Sequence, residues 1–188
     1  MDLHSPQIQG FFRIPVDHLL GRAVICDRIR ELEISDLVVC SPDVGFAKDA
    51  VEFGKVLKCP TVIGSKVRTD HTETVTIHEI IGNVAGRDII LVDDFTITAR
   101  TLTTLATALK DRGAKDIYAA VTHGALSEGV AARIGESCIR KMFMTATIES
   151  FEESLPDNFE ILPVAPIFAH AIRSIHERTS VSQLFANG

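Results

Sequence analysis

The sequence predicts an α/β domain built on a mainly parallel sheet with helices on both faces. Short β-branched apolar runs alternate with stretches of helical periodicity along most of the chain. The runs DLVVC and DIILV are apolar almost throughout, as parallel strands covered on both sides are. Polar clusters follow directly after several of these runs, where the carboxyl ends of such strands expose their loops. A chain of 188 residues with 46% hydrophobic content is enough for one domain with a substantial core.

Each element has its own local reason. Leu19, Leu20, Ala23, Val24, Ile29 and Leu32 recur at helical spacing and predict a helix within 17–32. DLVVCSPD is a short apolar run closed by Ser-Pro-Asp, a buried strand ending in a loop. A second helix is expected over 44–57, with Ala47, Ala50, Val51, Gly54 and Val56 toward one side. PTVIGS begins the next strand, its proline suiting the first position. Residues 65–74 are polar apart from Val67 and read as an exposed loop or hairpin tip, with a strand over 75–81. Residues 88–92 form a fully buried strand, followed by a loop and a helix from about Thr101 to Arg112, which Gly113 stops. The rest reads as strand (116–124), short helix (127–134), strand (139–148), strand (159–164), helix (165–177) and a tail.

Composition excludes some classes of function. Lys plus Arg is 19 against 25 Asp plus Glu, a formal charge of −6, and no basic run offers a nucleic-acid surface. No apolar run approaches the roughly 20 residues a bilayer span needs, and Met1 is not followed by a charged-then-apolar leader, so the expectation is a cytoplasmic protein without a membrane partner. Cys26, Cys40, Cys59 and Cys138 are scattered without a C-x-x-C pair and read as reduced thiols rather than a zinc site.

The chemistry concentrates in IILVDDFTITART, residues 89–101. Four apolar residues deliver Asp93 and Asp94 to the end of a central strand. The hydroxyls of Thr96, Thr98 and Thr101 then lead into a helix N-terminus, where free N–H groups and the dipole favour an anion. Such groups suit a phosphate, and a carboxylate pair beside it suits sugar hydroxyls or a hydrated magnesium ion. The plainer alternative is an acidic strand end before a threonine-capped helix.

This segment resembles the thirteen-residue signature of the phosphoribosyltransferase superfamily. Other stretches narrow the resemblance: HSPQIQGFFRIPVDHL (4–19), VVCSPDVG (38–45), SKVR (65–68), THGALS (122–127) and SVSQLF (180–185). In this order they resemble the ribose-phosphate diphosphokinase family, which transfers the diphosphate of ATP to C1 of ribose 5-phosphate to give phosphoribosyl diphosphate (PRPP). The resemblance implies a type I phosphoribosyltransferase-like fold and a place in nucleotide biosynthesis.

It also implies residue roles. His4 and Asp43 would serve the Mg²⁺ that accompanies ATP and the product. Lys66 and Arg68 would match the catalytic loop's basic residues, with Val67 in place of the middle one. Asp93, Asp94, Ile97, Thr98, Ala99, Arg100 and Thr101 would face ribose 5-phosphate. Four further positions depart from the family pattern: Ile97 replaces an aspartate, Arg100 a glycine, Phe46 a glycine and Ala146 an aspartate. By the same resemblance, residues 1–16 are the end of an N-terminal domain and 17–188 the phosphoribosyltransferase-like domain. ATP would then bind only alongside a complementary N-terminal half.

Three functions compete. One is a ribose-phosphate diphosphokinase component, N-terminally truncated and inactive alone, acting as a homo- or hetero-oligomer. Another is a non-catalytic regulatory paralogue that binds ribose phosphate and full-length subunits. The third, a base phosphoribosyltransferase, ranks last because such enzymes are not expected to carry HSPQIQGFF and SPDVG in this order.

Overall fold

The computed structural model describes residues 1–68, 76–148, 155–182 and 184, with the side chains of 66–68 and 76–78 outside that description. Seven strands form one sheet in the order β3-β2-β1-β4-β5-β6-β7. They are β1 (Leu37–Ser41), β2 (Thr61–Arg68), β3 (Thr76–Ile81), β4 (Asp88–Thr96), β5 (Ile117–Gly124), β6 (Ile139–Thr145) and β7 (Phe159–Leu162). Every pairing is parallel except β2 with the edge strand β3. The predicted architecture is therefore the observed one.

Helices cover both faces. On one side, Ile25, Cys26 and Ile29 of α1 (Arg22–Glu31) and Ala50 and Phe53 of α2 (Ala47–Leu57) pack on Val39, Ile90, Val92, Ala120 and Phe143. On the other, Leu102, Leu105 and Leu109 of α3 (Arg100–Asp111) and Val130 and Ile134 of α4 (Val130–Gly135) pack on Val38, Leu91, Ala119, Val121 and Met142. Alternate residues of each central strand thus feed opposite layers, which is why their buried stretches are apolar throughout. A short 3-10 turn (Pro6–Phe11) precedes α1, and α5 (Ala165–His176) closes the described fold with only Ala171 buried.

Several boundaries differ from the sequence expectation. The first helix begins at Arg22 rather than Asp17, and α4 at Val130 rather than Ser127. Residues 65–68 belong to β2 and not to a loop, because they pair with β3 from Ser65↔Glu79 to Arg68↔Thr76. The centre of the expected hairpin tip lies outside the described residues. β4 continues past Val92 to Thr96, its extra residues paired with β5 through Phe95↔His123 and Thr96↔Gly124. Gly113 takes φ +83 just after α3, the left-handed stop expected of it.

From β1 the chain adds β2 and β3 on one side, then crosses back to add β4 to β7 on the other. The strand order reverses between β1 and β4. At such a point the loops after neighbouring strands turn away from each other and leave a crevice at their carboxyl ends.

Candidate functional site

A cavity of about 340 Å³ occupies that crevice, lined by His4, Asp43, Asp93 and Asp94 together with Asp2 and Thr122. Asp43 stands two residues after β1, while Asp93 and Asp94 stand near the end of the long β4. The four residues picked out in the sequence for metal and sugar thus meet in one place, although they are up to 90 positions apart.

Local geometry fixes each of them. Asp43 Oδ1 accepts the Phe46 N–H at 3.0 Å, and the Ser41 hydroxyl donates to the Asp43 carbonyl at 2.6 Å. This turn leads into α2 and leaves Asp43 Oδ2 without a partner among the described residues. Phe46, at a position the family pattern gives to glycine, has ordinary right-handed torsions and lines the cavity. His4 Nδ1 lies 2.6 Å from Asp94 Oδ2, and the His4 ring meets Phe95 edge-on at 4.9 Å between centroids. The hydrogen bond to Asp94 and its charge raise the pKa of the imidazole, while Nε2 remains open.

Asp93 is the most perturbed acid of the site. Burial first, and then the neighbouring charges of Asp94 and Asp43, push its pKa up to about 7. Its Oδ1 accepts the Asp94 N–H at 3.0 Å, which opposes the shift without cancelling it. An acid held this way is relieved by a cation or by a hydroxyl that donates to it.

The loop after β4 is built to present a helix start. The Thr96 hydroxyl accepts the Ala99 N–H at 3.1 Å, and Ala99 adopts the left-handed conformation, φ 52 and ψ 10. Ser127 donates its N–H to the Ile97 carbonyl at 3.0 Å, and Arg133 Nη1 donates to the Thr98 carbonyl at 2.8 Å. The first helical bond runs from Thr103 N–H to Ala99 C=O at 2.9 Å. The amides of Arg100, Thr101 and Leu102 therefore precede the intrahelical ladder and have no partner among the described residues. Thr98, Arg100 and Thr101 are exposed beside them, and Ile97 is 49% exposed with its apolar chain in solvent. These loop residues do not line the cavity; Asp93 and Asp94 connect the two.

The donor set bears on whether a divalent metal fits. Among the described residues, no three His, Cys, Asp or Glu side chains converge on one point. A closed protein cage is therefore absent from them. Mg²⁺ usually keeps several waters and takes one or two carboxylates plus phosphates of its substrate. Asp43 Oδ2 and the His4–Asp94 pair meet that looser requirement. The backbone of Lys66 and Arg68 runs past the end of β1, since Ser41 is paired with Ile63, so both lie on the carboxyl side of the sheet. Their side chains lie outside the described residues.

Sequence reasoning missed Asp2 and Thr122 as parts of this wall, and it missed Ala99 as the residue that takes the unusual torsions. Thr122 was marked by the THGALS run, but nothing local points from it to Asp2, 120 positions away.

Comparison with known proteins follows the same lines. Residues 55–186 match the family described as the phosphoribosyl synthetase-associated domain. The chain belongs to this family. It is 46% identical over 186 residues to a ribose-phosphate pyrophosphokinase of Caldanaerobacter subterraneus subsp. tengcongensis, covering 98% of this chain and 58% of that protein. A ribose-phosphate pyrophosphokinase of Bacillus subtilis is 40% identical over 186 residues, covering 99% of this chain and 58% of its own length. The crystal structure of phosphoribosylpyrophosphate synthetase from Mycobacterium smegmatis superposes with a TM-score of 0.84 at 33% identity, over 94% of this chain and 57% of that one. As a phosphoribosyl synthetase-associated domain, the chain thus spans a little under three fifths of the relatives it matches.

Proposed function

We propose that the chain is the ribose 5-phosphate-binding part of a ribose-phosphate diphosphokinase, the activity that transfers diphosphate from ATP to ribose 5-phosphate and yields PRPP and AMP. The observation that carries this reading is the meeting of His4, Asp43, Asp93 and Asp94 around one cavity at the strand-order reversal. Family membership supports it, since relatives at 40–46% identity carry that activity in their names.

In this reading the free amides of Arg100 to Leu102 and the hydroxyls of Thr98 and Thr101 hold the 5-phosphate at the start of α3. Asp93 and Asp94 accept the sugar's vicinal hydroxyls, which relieves the crowding that raises the Asp93 pKa. The C1 oxygen then bonds to the β-phosphorus of ATP as that phosphorus parts from the oxygen bridging it to the α-phosphate. AMP leaves with that oxygen, and the C1 hydroxyl proton passes to solvent. Asp43, with the open Nε2 of His4, would hold a partly hydrated Mg²⁺, which supplies positive charge to the transferred diphosphate. Lys66 and Arg68 add cationic charge from the β2–β3 hairpin. ATP itself would be gripped mainly by an N-terminal half joined to residues 1–16, and the whole would work as an oligomer in the cytoplasm. Among the described residues no helix is long and apolar enough to cross a membrane.

A second reading, a non-catalytic paralogue that joins full-length subunits, is favoured by one observation. Ile97 occupies an aspartate position of the family pattern and leaves its apolar side chain 49% exposed with nothing polar to offer a hydroxyl or cation.

Calorimetric titration of the 188-residue polypeptide with ribose 5-phosphate in millimolar Mg²⁺ tests the main reading. Binding is expected, weakened at least tenfold by Asp93→Ala, with no PRPP formed when ATP is added to this polypeptide alone. Absence of binding would sink the sugar-phosphate assignment, and rapid PRPP formation would refute the need for a complementary half.

A further inference from the structure

The segment from Asp2 to His4 is held to the rest of the fold by a set of hydrogen bonds. One carboxylate oxygen of Asp2 accepts the Gly21 N–H at 2.8 Å and the hydroxyl of Thr122. The Asp2 carbonyl lies 3.0 Å from His123 Nε2, whose other ring nitrogen lies 2.8 Å from the Thr147 hydroxyl. The Leu3 N–H donates to His18 Nε2 at 2.7 Å, and the Asp2 N–H donates to the Leu19 carbonyl at 3.0 Å.

The fit around this clamp is close. Thr122 is 2% exposed, so its hydroxyl can satisfy itself only within the protein. A Cβ at Gly21 would fall 2.6 Å from Thr122 Oγ1 and 2.9 Å from Asp2 Oδ2, so only glycine lets the three groups meet. Asp2 itself takes φ 37, a left-handed torsion that a non-glycine residue holds only when its surroundings enforce it. Beyond the clamp the segment has one further polar anchor among the described residues, the His4–Asp94 contact at 2.6 Å, and the His4 side chain is 72% exposed. Exposed side chains keep a fixed position only when the backbone beneath them is held.

We infer that Thr122 and Asp2 are positioning residues: their hydrogen bond, seated on Gly21, fixes the backbone that carries His4 over the Asp93–Asp94 end of β4. Asp2 faces the same cavity, but both partners of its Oδ2 come from the protein, which assigns it to holding the segment rather than to meeting the ligand. This deepens the reading above and rests on it where ligand affinity is concerned.

The test uses the 188-residue chain and two readouts. Amide hydrogen exchange of residues 1–4 and Gly21 reports on the clamp, and titration with ribose 5-phosphate in Mg²⁺ reports on the site. Thr122→Val, which keeps shape and removes the hydroxyl, is expected to speed exchange of Leu3 and Gly21 at least tenfold and to weaken binding about fivefold. Thr122→Ser restores the hydroxyl and should return both to wild type, which a purely structural role of the residue would not require. Asp2→Ala should repeat the Thr122→Val result, so that poor folding of the Thr122→Val protein does not remove the test. Unchanged exchange in both variants overturns the clamp, and faster exchange with unchanged affinity overturns its positioning role. If His4→Ala also binds like wild type, the fault lies in the functional reading, while the exchange data still decide the clamp.

Discussion

Asp93 illustrates how one residue's surroundings set its chemistry. Its folded pKa lies near 7, against about 3.8 for a free aspartate, through burial and the neighbouring carboxylates. The folded state therefore binds a proton that the unfolded state has already released between about pH 4 and 7. By linkage, stability is highest below the unfolded pKa and is lost as pH rises through the folded one. Asp93→Asn removes this cost, so its melting temperature should exceed that of wild type more at pH 8 than at pH 5. At one pKa unit per ~1.4 kcal/mol, the gain across that window is on the order of 2–4 kcal/mol. Thermal melts in chelator at both pH values check it, and a constant difference would contradict the account. Arg100 offers a second test at this scale. It stands in the first turn of α3 with its side chain exposed, and it is Ala99, not Arg100, that takes the left-handed torsion. The backbone thus has no need of a glycine at position 100, and the guanidinium stands where a helix dipole disfavours a cation unless an anion joins it. Arg100→Gly should weaken ribose 5-phosphate about fivefold by titration, whereas tighter binding would mean that the side chain obstructs the cradle.

At the scale of elements, what the sequence made legible was periodicity, and what it hid was pairing. The central strands and α2, α3 and α5 were readable because β-branched apolar runs and 3.6-residue spacing each have one structural answer. SKVR looked like loop because three of its four side chains are polar, yet its backbone bonds to a neighbouring strand, and polarity carries no information about that partner. The extension of β4 through Asp93–Thr96 was hidden for the same reason, since carboxylates rarely announce a strand. The Asp pair was legible from its place after an apolar strand, and His4 and Asp43 through family resemblance, but the Asp2–Thr122 contact joins distant positions and no local pattern encodes it. The assignment of β4 as the central strand is directly testable. Leu91 has no solvent exposure and lies between β1 and β5. Leu91→Asn exchanges its burial for an unsatisfied amide, at a cost of roughly 3–5 kcal/mol. Urea unfolding should show that loss, with ligand binding falling in proportion to the unfolded fraction, and an unshifted midpoint would disprove the placement.

At the scale of the whole molecule, apolar surface is exposed among the described residues. Phe11 is 87% exposed, Phe12 55% and Ile14 70%, and on α5 Phe168, Ile172 and Ile175 face solvent as well. Patches of this kind on a folded domain favour association. Sedimentation of the paired change Phe11→Ser and Phe12→Ser should show smaller species than wild type at equal concentration, with the melting temperature of the domain little altered. Identical sedimentation would remove this surface from the account of assembly.

The reversal of strand order between β1 and β4 also bears on how the molecule comes to be. Leu37 pairs with Asp88 across a long intervening stretch, and the residues between them supply α2, β2 and β3 on the other side. Loop closure of that length is slow compared with local helix formation. The crevice has no partial version, because one wall arrives with β1 and the other with β4. A chain in which β1 and β4 have not yet paired therefore carries an unformed site, and affinity for sugar phosphate should appear with that pairing rather than with helix formation.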